Sequence, residues 1–241
     1  MNTRRKFLLQ GSLATTALLT VKPFNTLANA LSPITGYTVN DNSIVLVHTG
    51  AYNSAGRSQT IREISNLKKN MGNLVLLHAG QSVDDIAAHL NYDASTKAEE
   101  CISLTGDYKI IYKGNIKVAV IRATPGDSLQ SINDLSAYLK NQKDCRLVVC
   151  LSELGYKNKT SPDDIKLANS STDIDVIIGG HATNFSPHPV AEQNRAKAEV
   201  IIQSDSGNGF AFRNIEINFD EKRNKKTIAI NNLITRTAIY S

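Results

Sequence analysis

Short apolar runs rich in valine and isoleucine recur along the chain, and each has the length of a β-strand. Their apolar character is nearly continuous, which indicates strands buried on both faces between covering layers. The runs are SIVLVH (43–48), NLVLLH (73–78), IKVAVIR (116–122), RLVVCL (146–151), DVIIGG (175–180) and EVIIQ (199–203).

Helical periodicity occupies three segments between these runs. Apolar residues recur every three or four positions at 57–70 and at 127–142, and Asp127 is the predicted N-cap of the second of these helices. A third helix is predicted at 161–170, with Ser161 as its cap, a proline in first position and two acids in the first turn. The apolar face of the second helix consists of Leu129, Ile132, Leu135 and Leu139.

The pattern changes after residue 199. The segment 209–220 alternates between apolar and polar positions, and 225–237 follows a charged turn, which predicts an antiparallel hairpin with one exposed face. Strand–helix alternation followed by a strand pair predicts an α/β fold with two packed sheets and helices outside. No internal repeat or linker interrupts residues 31–241, so they are predicted to form a single domain.

The N-terminal segment has the features of an export signal. A twin-arginine pair, Arg4 and Arg5, precedes an apolar stretch that is too short and too rich in serine and threonine to span a membrane. The small residues of ANA (28–30) suit a signal peptidase. We therefore predict cleavage of residues 1–30 and a soluble periplasmic protein exported by the twin-arginine pathway; an uncleaved anchor helix is the alternative.

Charge and cysteine content narrow the function classes. Removing the four basic residues of 1–30 from the total of 27 leaves 23 against 22 acidic residues, so the remaining chain offers no basic surface for nucleic acid or an anionic membrane.

The cysteines are Cys101, Cys145 and Cys150, and an odd number leaves at least one without a partner in the chain. Cys150 is predicted to be a small buried apolar residue, and dependence on a disulfide is not expected.

Polar side chains follow several predicted strands. DVIIGGHATNF (175–185) runs through branched apolar residues into two glycines and His181, which would place the imidazole at the end of a sheet. His48 and His78 end two other predicted strands. For these two, a structural role is favoured over a ligand role.

Six stretches, taken in order, together carry a resemblance to a known family. They are IVLVHTGAYNSAG (44–56), NLVLLHAGQS (73–82), LNYDASTKAEE (90–100), LVVCLSELGY (147–156), DIKLANSSTDIDVIIGGHATNF (164–185) and EVIIQSDSGNGFAFRNIEINFD (199–220). These stretches resemble the N-terminal domain of the 5′-nucleotidase branch of the calcineurin-like metallophosphoesterases. The resemblance spans nearly all of residues 31–241, and it implies a four-layer α/β/β/α sandwich of the metallophosphoesterase type.

The resemblance also implies a chemistry, in which two divalent ions polarise a phosphate ester and generate the attacking hydroxide. Eight side chains do this work in the family. His181 matches the family residue at its position, the first histidine of a GHxH motif. The other seven positions carry a different residue type, and they are Ala51, Asn53, Gln81, Glu99, Glu100, Glu153 and Thr183.

Two of these replacements remove negative charge. Two dications about 3.5 Å apart repel by roughly 19 kcal/mol at an effective dielectric constant of 20, and a bridging carboxylate normally offsets this. Gln81 stands where the resemblance places that bridging aspartate, and Ala51 stands where it places another aspartate. The standard dinuclear centre is therefore not expected.

A single ion remains an alternative to a metal-free polar pocket. Carboxylates with one imidazole suit Mn²⁺, Mg²⁺ or Ca²⁺, and Zn²⁺ less well. The candidate ligands are His181, Glu153, Glu99 or Glu100, Gln81 and Asn53, with Glu100 and His181 as candidate catalytic residues. In the metal-free pocket, which is favoured, Glu153 and His181 would form an ion pair.

Two functions follow. The first is an exported member of the 5′-nucleotidase type with impaired or lost phosphoester hydrolysis, acting as a pseudoenzyme or a module for a small phosphorylated ligand. The alternative is an active phosphomonoesterase of nucleotide catabolism with a remodelled metal site. Because the resemblance covers only the catalytic domain of the nucleotidases, a separate chain with their C-terminal domain is the expected partner in a third, structural interpretation.

Overall fold

The computed structural model describes residues 42–49, 73–78, 101–102, 107–181, 183–184, 186, 188–204 and 211–234. All of them belong to one compact unit, Thr38–Ser241. They form two mixed β-sheets, here called sheet A and sheet B, and two helices.

Sheet A brings together strands from the beginning and the end of the described chain. Its strands are β1 (Ser43–Thr49), β2 (Leu74–His78), β3 (Cys101–Ile102), β10 (Ala211–Phe219) and β11 (Lys225–Ile234). Their order is β11-β10-β1-β2-β3. Strand β1 runs parallel to β2 and antiparallel to β10, and β10 and β11 form the predicted hairpin.

Sheet B has a parallel centre and antiparallel edges. Its strands are β4 (Tyr108–Lys113), β5 (Ile116–Ala123), β6 (Leu147–Ser152), β7 (Val176–Gly179), β8 (Val190–Gln193) and β9 (Glu199–Ser204). Their order is β4-β5-β6-β7-β9-β8. The four central strands β5, β6, β7 and β9 are parallel, so their carboxyl ends lie along one edge of the sheet.

Two apolar clusters bury both faces of sheet B. One lies between the sheets and contains Ile44 and Leu46 from sheet A and Val118, Val149 and Ile178 from sheet B. The other lies between sheet B and the helices. The described layers are thus sheet A, sheet B and the helices on sheet B, as in an α/β/β/α sandwich. The predicted helix at 57–70 lies outside the described residues.

The helices are α1 (Leu129–Asn141) and α2 (Asp164–Ser170), and both predicted caps were wrong. Ser128 caps α1, because its hydroxyl accepts a hydrogen bond from Ser131 N at 3.0 Å. Asp127 instead closes the preceding turn through Thr124 N. Helix α2 begins later than predicted and is capped by Asp163, whose carboxylate accepts from Lys166 N at 2.7 Å.

The six apolar runs and the C-terminal hairpin were predicted correctly as strands. The edge strands β4 and β8 were not predicted, because their half-exposed sequences lack a continuous apolar run.

Cys150 is fully buried, and both Cys145 and Cys150 are free thiols. Neither described helix has the length and hydropathy that a membrane crossing requires. The predicted signal at 1–30 lies outside the described residues.

Candidate functional site

The carboxyl ends of the parallel strands of sheet B are in register. Ala123, Ser152, Gly179 and Ser204 are successive partners across β5, β6, β7 and β9. Residues that follow these positions are therefore neighbours at one edge of the sheet. This edge, called the carboxyl edge below, carries the candidates Glu153 and His181.

Glu153 is paired with an arginine. Its backbone N–H donates to Ala123 O at 2.8 Å, which extends the pairing of β6 with β5 by one residue. The Glu153 Oε1 atom then lies 2.9 Å from Arg122 Nη2. Arg122 is on the face of β5 that carries Val118 and Val120, so the pair lies at the end of the apolar layer between the sheets. The predicted ion pair of Glu153 with His181 is thus replaced by one with Arg122.

His181 is oriented by its own loop. Gly180 N donates to Ser152 O at 2.8 Å and carries the chain past the end of β6. The His181 Nδ1 atom accepts hydrogen bonds from the backbone N–H groups of Thr183, at 3.3 Å, and Asn184, at 3.1 Å. Because Nδ1 is the acceptor, the proton of the neutral ring is on Nε2, which is left as a hydrogen-bond donor.

The loop of His181 is fastened to the loop after β6. Tyr156 N donates to Asn184 O at 2.9 Å, and Asn184 Nδ2 donates to Asn158 Oδ1 at 3.0 Å. Gly155 adopts a φ of +86°, and a Cβ there would lie 2.9 Å from Asn184 Nδ2. Glycine is therefore required for both its backbone angle and its lack of a side chain.

Asp164 is a buried acid that contacts the end of β6 at the carboxyl edge. It is the first residue of α2, it is fully buried, and its Oδ1 accepts a hydrogen bond from the Ser152 hydroxyl. Burial raises the pKa of Asp164 to about 7; the Ser152 hydrogen bond opposes this and the charge of Asp163 adds to it. Its Oδ2 has no hydrogen-bond partner among the described residues, and a Cβ at Gly179 would lie 2.9 Å from that atom. Sequence reasoning missed this acid, since nothing in an N-terminal helical aspartate signals burial.

His48 in β1 is 1% exposed and Gln203 in β9 is fully buried. The structural role favoured for His48 stays a prediction. His188 is exposed. The side chain of His78 lies outside the described residues.

The described candidates do not fit a metal ion. The Glu153 carboxylate is bound to Arg122, and the Nδ1 lone pair of His181 is directed at two backbone N–H groups. Thr183 is exposed. Over the part of the chain that the structure describes, no three or more histidine, cysteine or acidic side chains are grouped as metal ligands would be. The remaining candidates lie outside those residues, and they are Ala51, Asn53, Gln81, Glu99 and Glu100.

The two sheets and the carboxyl edge define the fold of the 5′-nucleotidases and calcineurin-like phosphoesterases. A 5′-nucleotidase precursor from Thermus thermophilus has a TM-score of 0.59 and 18% identity over 80% of this chain and 54% of its own. The NAD nucleotidase of Haemophilus influenzae has a TM-score of 0.61 and 15% identity, over 78% of this chain and 49% of its own. A calcineurin-like phosphoesterase from Bacillus subtilis has a TM-score of 0.50 and 14% identity, covering 78% of this chain and 90% of its own.

These similarities concern the fold. The chain spans about half the length of the two nucleotidases. No protein-family model and no curated protein sequence matches it. The similarity to these solved structures confirms the fold that the sequence resemblance predicted. The activity, the substrate and the partner of this chain remain proposals.

Proposed function

We propose that this chain is an exported protein of the metallophosphoesterase fold in which phosphoester hydrolysis is impaired or lost, and that it binds a small phosphorylated ligand instead. The observation that carries the proposal is the Arg122–Glu153 pair, with its 2.9 Å contact at a candidate metal-ligand position. The Arg122 guanidinium already neutralises the negative charge that this carboxylate would otherwise offer to a metal ion.

Three features support the loss of hydrolysis. Gln81 and Ala51 lack the charge that two dications require. His181 would have to give up two backbone hydrogen bonds before Nδ1 could coordinate. Without a Lewis acid to lower the pKa of a bound water, hydroxide is scarce near neutral pH.

The test combines metal analysis with an enzyme assay. Protein purified with added Mn²⁺ is expected to contain well under one ion per chain by mass spectrometry, and to hydrolyse neither p-nitrophenyl phosphate nor AMP above the buffer rate. Hydrolysis that disappears in His181→Ala would overturn the proposal.

The alternative is an active phosphomonoesterase with one ion, and the candidate ligands Glu99, Glu100, Gln81 and Asn53 favour it because carboxylate and amide oxygens suit hard divalent cations. It requires a stoichiometric ion that is lost on chelation, together with the activity. The same metal analysis therefore decides between the two functions.

Export and partnership belong to the proposal. The twin-arginine pair and the ANA site support periplasmic delivery of residues 31–241, which N-terminal sequencing of the secreted protein would check. The partner we propose is a separate chain with a nucleotidase C-terminal domain, because such a domain accompanies the catalytic domain in the 5′-nucleotidases that the sequence resembles. Co-purification from the native host tests that partner.

A further inference from the structure

We propose that Arg122 forms a metal-independent binding site for a phosphate group at the carboxyl edge of sheet B. This inference rests on the proposed function and names the group that the site would recognise. The positive charge that metal ions contribute in a metallophosphoesterase would here come from a guanidinium fixed to a central strand.

Arg122 has hydrogen-bonding capacity left over. A guanidinium carries five N–H donors, and among the described residues Arg122 makes one charged contact, from Nη2 to Glu153. The Arg122 side chain is 42% exposed, so the remaining donors are accessible to a ligand. Its backbone is held on both sides, by pairing with Leu151 of β6 and by a hydrogen bond from Arg122 N to Asp107 O at 3.3 Å.

His181 supplies a second donor at the same edge. Strands β5, β6 and β7 are consecutive, so Arg122 and His181 lie on either side of Glu153. Neighbouring strands are about 4.8 Å apart, so the backbones of β5 and β7 are separated by about 10 Å, a span that an arginine side chain, a phosphate group and an imidazole together can bridge. Because Nδ1 of His181 accepts from its own loop, Nε2–H is the atom that would donate to a phosphate oxygen.

Glu153 acts as the internal competitor of the ligand. Its carboxylate is 23% exposed and occupies part of the Arg122 fork. A phosphate oxygen forms the same kind of charge-assisted bond as a carboxylate oxygen, so the two compete for one guanidinium. Removing the charge of Glu153 should therefore strengthen phosphate binding, whereas removing Arg122 should weaken it.

The simpler explanation is an ordinary solvated ion pair, and the chain contains a matched control for it. Arg146 contacts Asp144 at 3.2 Å, and its side chain is 37% exposed, close to the value for Arg122. Arg146 precedes β6, at the opposite end of sheet B. If Arg122 were only a surface arginine, substituting either residue would have the same small effect on phosphate binding.

The experiment is calorimetric titration of the full protein with inorganic phosphate and, in parallel, with AMP, in buffer that contains a chelator. The wild type and Arg146→Ala are expected to bind phosphate with equal, saturable affinity. Arg122→Gln should bind at least about tenfold more weakly, and Glu153→Gln about tenfold more tightly. Tighter binding of AMP than of phosphate, with the same dependence on Arg122, would support the inference and mean that the group is recognised as part of a nucleotide.

Two outcomes would overturn the inference: no saturable binding by the wild type, or equal losses in Arg122→Gln and Arg146→Ala. Thermal unfolding of each variant separates a lost contact from a lost fold, and Arg122→Lys should retain part of the affinity because it keeps the charge. Hydrolysis of AMP by the wild type would refute the proposed function but leave the Arg122 result intact. Absence of both binding and hydrolysis would refute this inference and the ligand-binding part of the proposed function, and it would leave the loss of hydrolysis standing.

Discussion

The charged side chains at the two ends of sheet B differ in burial and in the number of their partners. At the amino end, Asp175 precedes β7 and is 5% exposed. Its Oδ1 lies 2.8 Å from Lys225 Nζ, and its Oδ2 accepts from Lys140 Nζ at 2.5 Å and from Val148 N at 2.8 Å. At the carboxyl end, Glu153 pairs with Arg122 as its one cationic partner among the described residues, and both side chains remain partly exposed.

The difference separates a structural charge cluster from one available to a ligand. The partners of Asp175 come from three elements. Lys140 belongs to helix α1, Val148 to strand β6 of sheet B, and Lys225 is the first residue of β11 in sheet A. Glu153 and Arg122 join two adjacent strands that are already paired through their backbones. The amino end therefore holds the layers together, while the carboxyl end is free to exchange partners.

The largest expected effect is that of Asp175→Ala. It leaves Lys140 and Lys225 beside each other without their counter-charge, which should lower the free energy of unfolding by about 3 kcal/mol. Glu153→Ala, at the other end, should lower it by less than about 1 kcal/mol, because the pair is solvent-screened. Urea unfolding of the two variants measures the contrast, and equal losses would show that the ends do not differ in this way.

Asp164→Asn tests whether the carboxyl edge carries a buried proton. The pKa of Asp164 is about 7 in the folded protein, against a usual value of 3.8. Between about pH 4 and pH 7, the folded protein therefore keeps a proton that the unfolded chain has already released. This stabilisation is complete below about pH 4 and is lost as pH rises through 7, by about 1 kcal/mol for each pH unit.

The asparagine variant has no such proton. The stability of the wild type relative to Asp164→Asn should therefore fall from pH 4 to pH 7 and stay level above it, as followed by denaturant unfolding at each pH. Asp163 makes the matched control. Despite its burial, hydrogen bonds from Asn158 and Lys166 lower its pKa, so its own contribution is lost as the pH falls, which is the opposite direction.

Gly155→Ala should have a smaller effect, confined to the site. A side chain at φ +86° is strained, and its Cβ would meet Asn184 Nδ2 at 2.9 Å, so we expect a loss of about 1–2 kcal/mol. The backbone N–H of Asn184 also donates to Nδ1 of His181. A displacement of Asn184 in Gly155→Ala should therefore weaken phosphate binding. As a control, Gly126→Ala, where a Cβ would meet nothing within 4 Å, should change neither stability nor binding.

The fold was predictable because continuous apolar runs leave few alternatives to buried parallel strands. Runs such as 146–151 are apolar on both faces, and the structure places an apolar layer on each side. The helix caps were harder, because Asp127, Ser128 and Asp163 are all good capping residues and tertiary packing selects among them.

The site was only partly predictable. The strand-ending pattern predicted His181 at the end of a sheet, and the family resemblance gave Glu153 as a candidate; the structure places both just after adjacent parallel strands. The partner of Glu153 could not be read from the sequence, since Arg122 is 31 positions away and looks like an ordinary end to an apolar run. Long-range pairs of this kind depend on strand order, which composition and periodicity do not encode.

The pairing of β1 with β10 has a consequence for biosynthesis. Leu46 lies opposite Ile215, so the first described strand gains its antiparallel neighbour only after residues 211–219 have left the ribosome. Sheet A therefore closes late, and a nascent chain would carry the apolar edge of β1 unprotected until then. Ribosome-stalled chains truncated before residue 211 should accordingly be cleaved by protease near residues 43–49, and chains extended past residue 234 should resist.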